Sequence, residues 1–307
     1  LADLDPAALF AEERAAAERA SPKVYLELLK ARLSRKPAVL NLDLLERVVA
    51  LKPWQDALRE VAGPLLVNAA SPPETVILVN TFPRVPTAAA ETVLVDELGL
   101  RRGSLHTANG GFDNAFDRLT ALREFKPKSL VRGHVMATVR VRSMVALLGI
   151  RPIVLVRDIF DTIACHADDR GDEPVAPGYR FAALDLAVRR RVRVLRMAPQ
   201  LVDFYASWTA EQAIGRCVVR RWEDVRHDWP GFVAERLAEH GRAPDRDAIA
   251  ARIATLPPDK HSGTVGRGET LPAEDKALVR TLYAQYPAID FRPIDPGAPA
   301  PARRDGC

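Results

Sequence analysis

With 307 residues, 48% of them hydrophobic, the chain can bury a large core, and its length suits one sizeable domain with an extension. Its 44 basic residues stand against 40 acidic ones, a formal charge of +4, which is too mild to mark a nucleic-acid-binding protein but suits a basic cleft for a small anion. Cys165, Cys217 and Cys307 are too few and too scattered for a disulfide framework or a zinc site, and no apolar run is long enough for a bilayer, so a cytoplasmic protein without a membrane span is expected.

From Asp5 to about Ala62, apolar residues recur at helical spacing, and residues 1–70 read as an N-terminal helical extension. Glu74 to Val79 is the first convincing strand and Thr87 to Leu98 the helix after it. Ser129 to His134 reads as a short strand, Ala137 to Leu148 as a helix, and Ile153 to Val156 as a central parallel strand with both faces covered. Asp161 to Ala167 opens a helix with Asp161 as its N-cap, Phe181 to Trp208 is largely helical, and Cys217 to Arg220 is another strand. Helices follow at Gly231 to His240, Asp245 to Ala254 and Pro272 to Tyr283, and residues 295–307 read as a flexible tail. The alternation predicts an α/β domain over residues 71–294 with a mainly parallel sheet, its ligand lying beyond the carboxyl ends of the strands.

Three candidate residues fall at those ends: Arg84, His134 and Arg157. Around Arg84 a buried strand runs through the basic turn Phe82-Pro83-Arg84-Val85-Pro86-Thr87 into a helix N-terminus. Unpaired backbone N–H groups and the positive end of the helix dipole there suit phosphate or sulfate. Arg157 stands in Arg157-Asp158-Ile-Phe-Asp161-Thr-Ile-Ala-Cys165, where it could clamp an anion or pair with Asp158 or Asp161. An unperturbed imidazole titrates near enough to neutrality for His134 to be the candidate base, with Glu91 in reserve, or a surface carboxylate, and His106 and His166 as further alternatives. No metal-ligand spacing occurs among the six histidines.

The turn resembles the Pro-Lys/Arg-Ser-Gly-Thr-Thr loop of sulfotransferases that use 3′-phosphoadenosine 5′-phosphosulfate (PAPS). The Arg157 to Cys165 segment is similar to their Arg-Asp-Pro-x-Asp-x-x-x-Ser motif. Tyr205-Ala-Ser-Trp208, Val219-Arg-Arg-Trp222-Glu223-Asp224, Gly263-Thr-Val-Gly266-Arg267-Gly268 and Tyr286-Pro-Ala-Ile-Asp290-Phe291 resemble further family motifs in the same order. The resemblance spans roughly residues 74 to 293 and implies a P-loop-type three-layer fold and sulfuryl transfer from PAPS to a hydroxyl or amine of a small-molecule or glycan acceptor, with no metal.

It also implies site roles. The amides of Val85, Thr87 and Ala88 would cradle the 5′-phosphosulfate beside Pro86, with Arg84 as a charge clamp on the bridging oxygen. Arg157 and Cys165 would meet the 3′-phosphate, Trp222 would wall the adenine, Gly263, Gly266 and Arg267 would form the C-terminal loop, and His134 would be the general base. The turn departs from the pattern: Val85 lacks a serine hydroxyl and Pro86 lacks an N–H. Cys165 is a poorer donor than serine. These changes admit a catalytically degenerate binding protein as an alternative. A P-loop kinase fits less well, because the Gly-Lys-Ser/Thr of a Walker loop is missing. Oligomeric state has no sequence signal.

Overall fold

The computed structural model describes residues 76–105, 124–125, 128–147, 149–168, 174–176, 179–257 and 264–301. The expected extension at 1–70, His106 and Gly263 lie outside the described residues. Five parallel strands form the sheet: β1 (Val76–Thr81), β2 (Arg101–Ser104), β3 (Ser129–Gly133), β4 (Ile153–Val156) and β7 (Val218–Arg221), in the spatial order β2-β3-β1-β4-β7. A two-stranded antiparallel ribbon, β5 (Pro174–Ala176) with β6 (Tyr179–Arg180), stands apart from it.

The central strands are apolar because both faces are covered. Leu78, Val131, Val154 and Leu155 are all fully buried. Helices α1 (Ala88–Leu98), α6 (Trp229–Glu239) and α7 (Arg246–Thr255) pack together as one group. In a second group, α3 (Ile159–Asp168) and α8 (Ala273–Tyr283) pack on α4 (Leu186–Ala213), while α2 (Val139–Leu147) follows β3. Phe82, the residue after β1, meets Phe204 of α4 edge-on at 5.4 Å between ring centroids, which ties the loop region to the second group.

Helix starts follow their caps. Asp228 accepts from the Gly231 N–H at 2.9 Å, and Asp245 accepts from the N–H groups of Asp247 and Ala248 at 3.0 and 3.1 Å. The expected cap at Asp161 is corrected. Asp158 holds that position, accepting the Asp161 N–H at 2.9 Å, and α3 therefore begins two residues earlier than its apolar pattern suggests. The first residues of the expected tail are packed. Ile294, Asp295 and Ala298 are buried, and Asp295 accepts two hydrogen bonds from Arg280, at 2.8 and 3.0 Å.

The C-terminal loop packs against the start of α3 at Gly268, which is buried. A Cβ there would lie 2.5 Å from Cβ of Phe160 and 2.9 Å from the Asp161 nitrogen. Because the backbone must then shift, Gly268→Ala should lower stability by about 1–3 kcal/mol, read as a fall in urea midpoint at unchanged m-value.

Candidate functional site

The sheet order brings β3, β1 and β4 side by side, so the residues after Gly133, Thr81 and Val156 share one edge. After β1 the ladder continues for one more bond, Phe82 N–H to Leu155 O at 2.9 Å, and the chain then turns. The Val85 N–H closes this turn on Phe82 O at 3.4 Å, with Pro83 second and Arg84 third. Arg84 has a φ of 62°, the left-handed region that glycine usually supplies and that costs a non-glycine residue about 1–2 kcal/mol. Phe82 and Val85, both buried, anchor the turn on either side of that residue.

Two expected features of the cradle change. The Val85 amide serves the turn itself, and its side chain lies in the core instead of facing a ligand. The Thr87 hydroxyl donates to the Glu91 carboxylate, and both residues are buried. Glu91 is therefore not a surface carboxylate: it links Thr87 to Arg132, whose Nε lies 3.8 Å away. Pro86 has no N–H, so the helix N-terminus contributes through Thr87 and Ala88.

Guanidinium groups from the two neighbouring strands reach consecutive carbonyls of the turn. Arg157, just after β4 and fully buried, donates from Nη1 to Arg84 O at 3.2 Å and from Nη2 to Thr264 O at 3.1 Å, with Asp161 Oδ2 at 3.6 Å. Arg132, on β3, donates to Val85 O at 3.5 Å. Of the ion pairs expected for Arg157, that with Asp161 forms. Nε of Arg157, Nε of Arg132 and Nε1 of Trp222 are buried and make no hydrogen bond.

His134 follows β3 and is half-buried. Its Nδ1 lies 2.6 Å from Thr81 O and 3.2 Å from Thr81 Oγ1. A carbonyl only accepts, so Nδ1 carries the proton of the neutral ring and Nε2 the lone pair. The structure thus brings the His134 ring to the end of β1, at the entrance to the turn that carries Arg84.

Asp161 clasps the C-terminal loop, its two oxygens accepting the N–H groups of Gly266 at 3.0 Å and Gly268 at 2.6 Å. Gly266 has a φ of 88°, which that turn requires and glycine permits. Arg267 turns instead to Asp168 at 3.0 Å. Trp222 starts the short helix α5 (Trp222–Val225) and is buried, with the guanidinium carbons of Arg157 and Arg226 at 5.1 and 5.0 Å from its ring centroid. Cys165 is half-buried on α3 with a free thiol. Among the described residues no cluster of His, Cys, Asp and Glu could hold a metal ion, and no helix is long and apolar enough to cross a membrane.

Sequence reasoning missed Arg132, Asp158 and Asn80. Arg132 lies two residues before His134 in the same segment, and alternation along a strand places the two on one face, a signal that was available. Asn80 interrupts an apolar strand, which is also a signal, because a buried polar side chain must find partners.

Burial pushes the Asp158 carboxyl up to about 6, reinforced by the nearby Asp161 and Glu223 charges and opposed by the backbone N–H groups it accepts. An unfolded aspartate titrates near 4, so the folded state binds the extra proton between about pH 4 and 6. Stability from this group is therefore greatest below about pH 4 and falls by roughly 2–3 kcal/mol as pH rises through about 6. Asp158→Asn, which retains a cap, should flatten that decline in denaturant titrations at several pH values; an unchanged slope would contradict it.

A turn and helix N-terminus at the carboxyl edge of a parallel sheet is an arrangement that suits an anion. No family model and no curated protein matches the sequence. Among solved structures, the fold is similar to mouse sulfotransferase SULT7A1, crystallised with PAP, at TM-score 0.51 and 12% identity over 74% of this chain and 89% of that one. Sulfotransferase STF9 from Mycobacterium avium is similar at TM-score 0.46 and 14% identity over 88% and 90% of the two chains. Retinol dehydratase complexed with retinol and PAP is similar at TM-score 0.44 and 12% identity over 74% and 85%. Over most of its length the chain has the fold of the PAPS-dependent sulfotransferases.

Proposed function

We propose that the protein is a sulfotransferase that moves a sulfuryl group from PAPS to a hydroxyl or amine of a small-molecule or glycan acceptor. The observation that carries this reading is the imidazole of His134, its Nδ1 held on Thr81 O at the mouth of the Arg84 turn. When bound, PAPS supplies an activated sulfuryl group. His134 Nε2 takes the proton of the attacking hydroxyl or amine, and a positioned base of this kind is worth about 10²–10⁴ in rate.

Arg84 opposes the charge that develops on the leaving side. As arginine it acts as a fixed cation and not as a proton donor. Thr87 and Ala88 present the helix N-terminus to the 5′ end of the nucleotide, and Gly266, Arg267 and Cys165 border its 3′ end. Arg157 holds the turn and the C-terminal loop together through their carbonyls and adds positive charge beneath both. Trp222 braces Arg157 and thereby the floor of the site. The mouse neighbour's complex with PAP supports the donor assignment. The free thiols of Cys165 and Cys217 suit a reducing cytoplasm.

A catalytically silent nucleotide-binding role is the second reading, favoured by the Val85 amide being committed to its own turn and by Pro86 lacking one. Calorimetry with adenosine 3′,5′-bisphosphate and turnover assays distinguish the two. The parent should bind. Arg84→Gly should bind at least about tenfold more weakly while gaining about 1 kcal/mol of stability from the relieved φ, so the loss cannot be blamed on unfolding. His134→Ala should retain bisphosphate affinity and lose turnover. Turnover unchanged in His134→Ala would remove the base, and no detectable binding by the parent would remove the donor.

A further inference from the structure

We infer that Asn80 is a positioning residue for His134, acting with Ser207 and Trp208 of α4, and that this brace sets which imidazole nitrogen is presented to a substrate. The inference rests on the proposed role of His134 and adds the means by which the ring is oriented.

Asn80 is a fully buried polar side chain that, with Thr81, ends an otherwise apolar strand. Its register partner is Gly133, the last residue of β3, so the backbone ladder between β1 and β3 stops there. The side-chain amide continues it. Nδ2 donates to Val135 O at 2.7 Å, and Oδ1 accepts from Val135 N–H at 2.9 Å. Gly133 leaves room for this approach, since a Cβ there would lie 3.3 Å from Asn80 Oδ1.

From the other side, Trp208 Nε1 donates to the same Val135 carbonyl at 2.9 Å, and Ser207 Oγ accepts the Ala137 N–H at 3.1 Å. The backbone is therefore fixed on both flanks of His134, by the sheet at Gly133 and by two buried side chains at Val135. From that position the ring reaches Thr81, the residue next to Asn80, and donates from Nδ1 to its carbonyl. The adjacent Ser-Trp pair thus acquires a physical role. It holds the segment that carries the base.

The experiment is nitrogen NMR of the His134 ring, assigned by comparison with His134→Gln, in the parent, Asn80→Ser and Trp208→Phe. Turnover and bisphosphate affinity are measured on the same samples. The parent ring should be protonated on Nδ1 in its neutral form. In each variant the Nε2-protonated tautomer should appear and kcat should fall about tenfold to 100-fold, with bisphosphate affinity held within about twofold. Trp208→Phe keeps an aromatic side chain and removes the indole N–H together with part of the ring, so it decides the question if Asn80→Ser does not fold. An Nε2-protonated ring in the parent, or an unshifted tautomer in Trp208→Phe, overturns the inference. A tautomer shift in a protein without turnover on any acceptor would uphold the brace and remove the sulfuryl-transfer reading.

Discussion

Everything at this site depends on two guanidinium groups, from the strands on either side of β1, that hold consecutive carbonyls of one turn. Arg157 takes Arg84 O and Arg132 takes Val85 O. A turn without glycine, with its third residue at positive φ, is strained, and such strain persists only when the surroundings over-determine it. The parallel order β3-β1-β4 makes this possible, since only neighbours of β1 can place side chains on both sides of its terminal turn. Buried guanidinium groups need partners. Here backbone carbonyls and the Asp161 and Glu91 carboxylates supply them.

The same arginine couples the turn to the rest of the domain. Arg157 also holds Thr264 O, and its partner Asp161 accepts two amides of the glycine-containing loop. Displacement of the Arg84 turn would therefore be felt at Gly266 and Gly268 through the Arg157–Asp161 pair. On the opposite flank, Glu91 joins the first turn of α1 to Arg132, two residues from His134. The Arg84 turn, the His134 segment and the C-terminal loop are thus parts of one network of hydrogen bonds and ion pairs, so their geometries are set together.

Much of the scaffold was legible in the sequence because burial writes a simple pattern. The run Ile153 to Val156 gave its strand without error, and the helices expected at Gly231 to His240 and Asp245 to Ala254 form within two residues of those bounds. The cap of α3 was misread because Asp158 and Asp161 stand three apart. Only the fold shows that the second aspartate faces the C-terminal loop. Glu91 looked exposed because one helix turn does not reveal what packs over it. The left-handed Arg84 was hidden for another reason: no glycine or asparagine announced a positive φ, and the anchors that enforce it, Phe82 and Val85, read simply as hydrophobic. The early part of the expected tail is ordered because Asp295 meets Arg280, an ion pair across 15 residues that composition cannot reveal.

The most direct measurement is a crystal structure of the protein with adenosine 3′,5′-bisphosphate. The account predicts the 5′-phosphate within about 3 Å of the Thr87 or Ala88 amide, next to Arg84, with Arg157 still on the Arg84 carbonyl and the His134 ring facing the same space. A bisphosphate bound away from this turn, or bound only after Arg157 has left that carbonyl, would contradict it.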